Sequence, residues 1–187
     1  MNMMNDTIAA IATANATGAV SIIRISGDEA ILIASKLINK DLSKKEGYTI
    51  TFGIVQEAND VVDEVLVSIF RAPKSYTGED VVEIGCHGGL FITRKILSLC
   101  LGKGARLARR GEFTERAFLN GKMDLSQAEG VNDLINATDE VNAKSAMHSL
   151  KGSVSKILKP LEEDLTQIIS NIEVNIDYPE YDDVHQL

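Results

Sequence analysis

The hydrophobic period of this chain changes once, near Gly121. Before that point short β-type runs recur: Ile8 to Ala12, AVSIIRIS from Ala19 to Ser26, YTITFGIV from Tyr48 to Val55, EVLVSIF from Glu64 to Phe70, and DVVEIGC from Asp80 to Cys86. Their alternation, bounded by glycine and polar residues, predicts strands with one buried face. Two helical patterns interrupt them. Asp28 can cap a helix reaching about Ile38, with Ile31, Ala34, Leu37 and Ile38 on one face, and GLFITRKILSLC from Gly89 to Cys100 runs up to a stop at Gly102. Strands mixed irregularly with helices predict an α+β sheet domain over residues 1–120, with helices on one face.

After Gly121 the strand signals vanish, and residues 121–187 read as α-helical. DLSQAEGVNDLINA offers Asp124 or Ser126 as N-cap, with Glu129 spaced for a capping box with Ser126. From about Asp139 an apolar stripe (Ala143, Ala146, Met147, Leu150, Val154, Ile157, Leu158, Leu161, Leu165, Ile168, Ile169, Ile172, Ile176) steps by threes and fours. Gly152 and Pro160 fall inside it, so the helix either kinks near Lys156 to Pro160 or divides, with Pro160 in the first turn of its second part. The tail DYPEYDDVHQL reads as a linker.

Charge divides the chain at the same place. Residues 1–122 hold 15 Lys/Arg and 14 Asp/Glu, whereas residues 123–187 hold 4 and 13. The one locally basic segment contains Lys103, Arg106, Arg109, Arg110, Arg116 and Lys122, and it suits either a solvated face or an anion site. Two cysteines, Cys86 and Cys100, make no disulfide framework, and the start has no basic leader region, so a cytoplasmic setting is expected. No apolar run is long enough to span a membrane.

Several chemistries are excluded by pattern. No G-x-x-x-x-G-K-[ST] loop occurs, and His87, His148, His185 and the cysteines lack metal-ligand spacing, so no metal site is expected. Cys86 and His87 are adjacent on a predicted strand and point to opposite faces, which argues against a nucleophile–base pair. No catalytic residue is assigned. What remains are two charges set in apolar strands, Arg24 between Ile23 and Ile25 and Glu83 between Val82 and Ile84, beside the glycines of GCHGG. Each alone suits a water-facing strand position. Together they suggest a small polar cleft, with the glycines permitting close approach by a ligand or another strand.

Three stretches, DTIAAIATANATGAVSIIRISG, SYTGEDVVEIGCHGG and RRGEFTERAFLNGKMDLSQAEGVNDLINA, carry a resemblance to the N-terminal region of the MnmE (TrmE) family of tRNA modification GTPases. It runs from about Asp6 to Pro179. The resemblance implies a mixed-sheet domain like the tetrahydrofolate-binding domain of aminomethyltransferases, which binds a one-carbon folate (5-formyltetrahydrofolate or 5,10-methylenetetrahydrofolate) and forms a homodimer. It implies that the first helices of a helical domain follow. The GTPase domain, with GTP, potassium and magnesium, and the C-terminal helices belong to parts of the family outside this sequence, so the chain is expected to be a piece of a longer protein. The family works with the FAD-dependent MnmG (GidA) to add an aminomethyl-type group at C5 of the wobble uridine of tRNA.

The family's folate-contacting residues fall on Arg24, Glu83 and Lys122. A carboxylate at Glu83 can accept paired hydrogen bonds from a pterin ring, while Arg24 and Lys122 can each answer an anionic tail or a carbonyl, their division of labour being open. Phe113 and Phe118 are expected as apolar anchors, and Asn120-Gly121 as a turn presenting Lys122. The family's Arg-Pro-Gly is Arg109-Arg110-Gly111 here, and of its first glycine- and proline-bearing loop only Gly18 remains. A free-standing folate-dependent aminomethyltransferase and a purely structural dimerisation module are the alternatives.

Overall fold

The computed structural model describes residues 6–58 and 60–177. The expected linker after Asp177, His185 and the side chain of Val154 lie outside the described residues. Two compact units divide the chain, Met1–Lys122 and Met123–Leu187.

The first unit is a six-stranded sheet: β1 (Ile8–Ile11), β2 (Val20–Ser26), β3 (Thr49–Glu57), β4 (Asp60–Phe70), β5 (Val81–His87) and β6 (Arg106–Leu107), in the order β3-β4-β5-β2-β1-β6. All neighbours are antiparallel except β1 and β6. Helices α1 (Ala30–Ile38) and α2 (Leu90–Gly102) follow β2 and β5. The period of two sends Ile23 and Ile25, Val65, Val67 and Ile69, and Val82, Ile84 and Cys86 to one face, where they form a closed core with Ile33, Leu37, Ile96 and Cys100. Each such isoleucine contributes about 1.5 to 3 kcal/mol by leaving water.

The opposite face is different. On β3 and β4 it leaves Ile50, Phe52 and Leu66 exposed, while next to β1 it meets the β4–β5 connection (residues 71–80) and α3 (Glu112–Leu119). Helices therefore touch both faces, not one as expected. The periodicity analysis missed α3 because its sequence, EFTERAFL, is mostly charged and held by ion pairs rather than by an apolar stripe.

Other boundaries also moved. The N-cap of α1 is Glu29 without a side-chain cap, because the Glu29 amide donates to Thr7 Oγ1 across the unit instead of to Asp28. Gly88 cannot carry a side chain: a Cβ there would stand 2.5 Å from the carbonyl oxygen of Gly18. The two backbones exchange a hydrogen bond from Gly18 N to Gly88 O, so these glycines of GCHGG and ANATG serve a chain-to-chain approach rather than a ligand.

In the second unit the described residues are helical: α4 (Leu125–Ile135), α5 (Glu140–Leu150) and α6 (Ser153–Asp177). Asp124 caps α4, and its box partner is Gln127, not the Ser126–Glu129 pair. The long stripe breaks at Gly152, whose φ of 68° ends α5, and Pro160 lies inside α6, beyond its first turn. Leu161, Leu165, Ile169 and Ile176 on α6 are exposed. Among the described residues no helix is long and apolar enough to cross a membrane.

Candidate functional site

Register creates the first cluster. β2 and β5 pair so that Arg24 and Glu83 are direct partners, and alternation turns both away from the core. Arg24 Nε and Nη2 both donate to Glu83 Oε1, at 2.9 and 2.8 Å. Among the described residues Glu83 Oε2 receives no hydrogen bond, and the side chains are 27% and 24% exposed. The guanidinium carbon lies 5.2 Å from the Tyr76 ring centre and 5.6 Å from that of Phe113. Tyr76 Oη in turn shares a 2.9 Å hydrogen bond with Thr114 Oγ1, which fixes the connecting loop to α3. Cation–π contact on both faces adds about 0.5 to 2 kcal/mol and holds the guanidinium plane.

Lys122 stands apart from that pair. Asn120 and Gly121 (φ 67°) form the expected turn, but the exposed ammonium donates to the Pro73 carbonyl at 2.9 Å. Its stem packs near Gly78. The loop of residues 71–80 thus carries both the lysine's acceptor and the tyrosine that covers Arg24. Of the three expected residues, Arg24 and Glu83 are joined directly, and Lys122 reaches the same loop from its other side.

A second charged cluster was not legible as such. Arg116 is 7% exposed and donates to the Asp6 carboxylate and carbonyl, both Glu79 oxygens and Glu112 Oε1. Arg106 forms two parallel bonds to Glu112 and another to Asp6, and the Arg109 amide donates to Glu112 Oε2 at 2.6 Å. Burial raises the Glu112 carboxyl, but the Arg106 and Arg109 bonds and the nearby positive charges outweigh it and bring it down to about 2. Arg106 likewise holds Asp6 below its usual value. Arg106, Arg109 and Arg116 are therefore consumed by carboxylates, and the basic segment is not a continuous anion-binding face. Phe118, expected as an anchor, is exposed, whereas Phe113 is half-buried against Arg24.

Among the described residues no cluster could hold a metal ion. Burial pushes the Cys86 thiol up and Cys100 to about 12, so both are core residues. His87 faces water and bonds through Nδ1 to Asp63, on the opposite face from Cys86.

Comparisons with known proteins agree along the whole chain. A family model described as "GTP-binding protein TrmE N-terminus" matches residues 7–122, and one described as "MnmE helical domain" matches residues 125–187. Curated relatives named "tRNA modification GTPase MnmE" include those of Levilactobacillus brevis (51% identical over 185 residues), Enterococcus faecalis (51% over 187) and Pediococcus pentosaceus (52% over 185). Each match covers 97% of this chain and 40% of the relative. The chain thus spans about 40% of the length of the curated relatives it matches.

Proposed function

The chain belongs to the family of MnmE tRNA modification GTPases, and from that premise we propose that its sheet unit binds a reduced one-carbon folate and pairs with a second copy. The assembly it serves is a GTP hydrolase that, with MnmG, adds an aminomethyl-type group to C5 of the wobble uridine of tRNA in the cytoplasm. The folate is 5-formyltetrahydrofolate or 5,10-methylenetetrahydrofolate. Nucleotide, potassium and magnesium are handled by other parts of that assembly, since this sequence has no phosphate loop.

The observation that carries the folate reading is the half-exposed Arg24–Glu83 pair with one carboxylate oxygen open, walled by Tyr76 and Phe113. A pterin presents a ring N–H and an exocyclic amine side by side, and a carboxylate is their natural acceptor. The rings offer flat apolar surface beside it, and Lys122 supplies a cation without an ion-pair partner among the described residues. The electrostatics favour an anionic ligand at the lysine and a hydrogen-bond donor at the glutamate, which a folate combines.

A thermal shift experiment tests the reading. A ligand that binds only the folded unit at about 100 times its Kd adds about 2.7 kcal/mol, so 5-formyltetrahydrofolate should raise the melting temperature by several degrees. No rise at saturating folate would leave the unit as a pairing module. GTP should give no shift with this chain, and saturable GTP binding would contradict that part.

A further inference from the structure

Resting on the folate reading, we infer that Arg24 is a positioning residue that fixes the Glu83 carboxylate, and that Lys122 alone meets the ligand's anionic tail. Four observations lead there. Arg24 spends two donors on one oxygen, Glu83 Oε1, which sets the carboxylate's rotation and leaves Oε2 open. Its guanidinium lies between the Tyr76 and Phe113 rings, so swinging outward to an anion would forfeit the ion pair and both ring contacts. The clamp is itself fastened by the Tyr76–Thr114 hydrogen bond. Lys122, by contrast, sits exposed on a turn and gives up one hydrogen bond to the Pro73 carbonyl when it moves.

The chemistry follows from the difference between the two cations. A planar guanidinium with a satisfied fork orients a carboxylate, whereas an ammonium on a flexible four-carbon stem acts as a movable point charge. Folate tails vary in length and lie partly in water. A movable, screened charge suits them better than a clamped one. Tyr76 and Phe113 then act through Arg24, and their rings set the plane in which Glu83 presents its free oxygen.

A double-mutant cycle on the whole chain, read by calorimetric titration with 5-formyltetrahydrofolate, separates this from independent contacts. Arg24→Ala should lose about tenfold in affinity and Glu83→Ala about 30-fold or more, while the double variant loses no more than Glu83→Ala alone. Raising salt should weaken wild type and Arg24→Ala with the same slope, and Lys122→Ala should flatten that slope. A purely structural role for Arg24 would lower the melting temperature, so that temperature is measured without ligand, and Arg24→Gln, which keeps a planar group between the rings, serves as a second variant. Losses that multiply in the double variant, a slope flattened by Arg24→Ala, or a slope unchanged by Lys122→Ala would overturn the assignment while leaving folate binding intact. Absence of any wild-type binding would overturn the folate reading itself, and this assignment with it.

Discussion

Arg24 and Arg116 are both arginines held by carboxylates within one unit, yet they are built for different work. Arg116 is 7% exposed and meets three carboxylates, each of which is also held by another residue: Asp6 and Glu112 by Arg106, and Glu79 by Ser26. Arg24 is 27% exposed, meets one carboxylate, and leaves that carboxylate an oxygen short of a partner. A closed network with every group satisfied has nothing left to offer a ligand. An open one does, and its incompleteness costs little because water reaches it.

The contrast predicts a separation of stability from recognition. The largest effect belongs to Arg116→Ala, which strands Glu112 and Glu79 as buried or half-buried charges and should cost about 3 to 5 kcal/mol in urea denaturation. Arg24→Ala should cost about 1 kcal/mol or less in the same measurement, because its pair is partly exposed and screened. Equal losses from the two would erase the distinction.

Acid should act on the closed network next. Glu112 drops from an ordinary 4.5 to about 2 in the folded chain, so its stabilising contribution is full above pH 4.5 and is lost as pH falls through about 2. That contribution is about 2 to 3 kcal/mol. Urea midpoints measured down this range should fall steeply for wild type and less for Glu112→Gln, and parallel curves would show that Glu112 is not the titrating group.

Gly88→Ala sharpens the comparison from another side. Its Cβ would meet the Gly18 backbone, which cannot yield as a side chain can, and about 1 to 3 kcal/mol of stability should go. Folate affinity of the remaining folded protein should stay within about twofold of wild type, and a selective loss of affinity would return these glycines to the ligand site. The smallest effect on stability, within about 0.5 kcal/mol, is expected for Lys122→Ala, since the lysine is exposed and bonded once.

Much of this was legible in the linear sequence, for identifiable reasons. The strands of the first unit announced themselves because each alternates, and the same period of two that put Ile23 and Ile25 inward put Arg24 outward. Their direct pairing was not legible, since register between β2 and β5 depends on which strands become neighbours, 59 residues apart in the chain. The Arg116 network was hidden for the same reason: Asp6 lies 110 residues away, and a run of arginines looks alike whether it faces water or carboxylates. Helix α3 gave no apolar stripe. Gly152 and Pro160 were both visible as possible breaks, and Gly152 supplied the break because it takes a positive φ at no side-chain cost, whereas the helix continues through Pro160.

The most direct measurement of the recognition site is calorimetric titration of Glu83→Ala with 5-formyltetrahydrofolate, after its ligand-free melting temperature has been matched to wild type. Loss of the paired acceptor should cost about 2 to 3 kcal/mol, or about 30- to 150-fold in affinity, and Glu83→Gln should recover little because an amide offers only one acceptor. Wild-type affinity in the folded Glu83→Ala protein would contradict the assignment and make Arg24 and Glu83 an ordinary cross-strand ion pair.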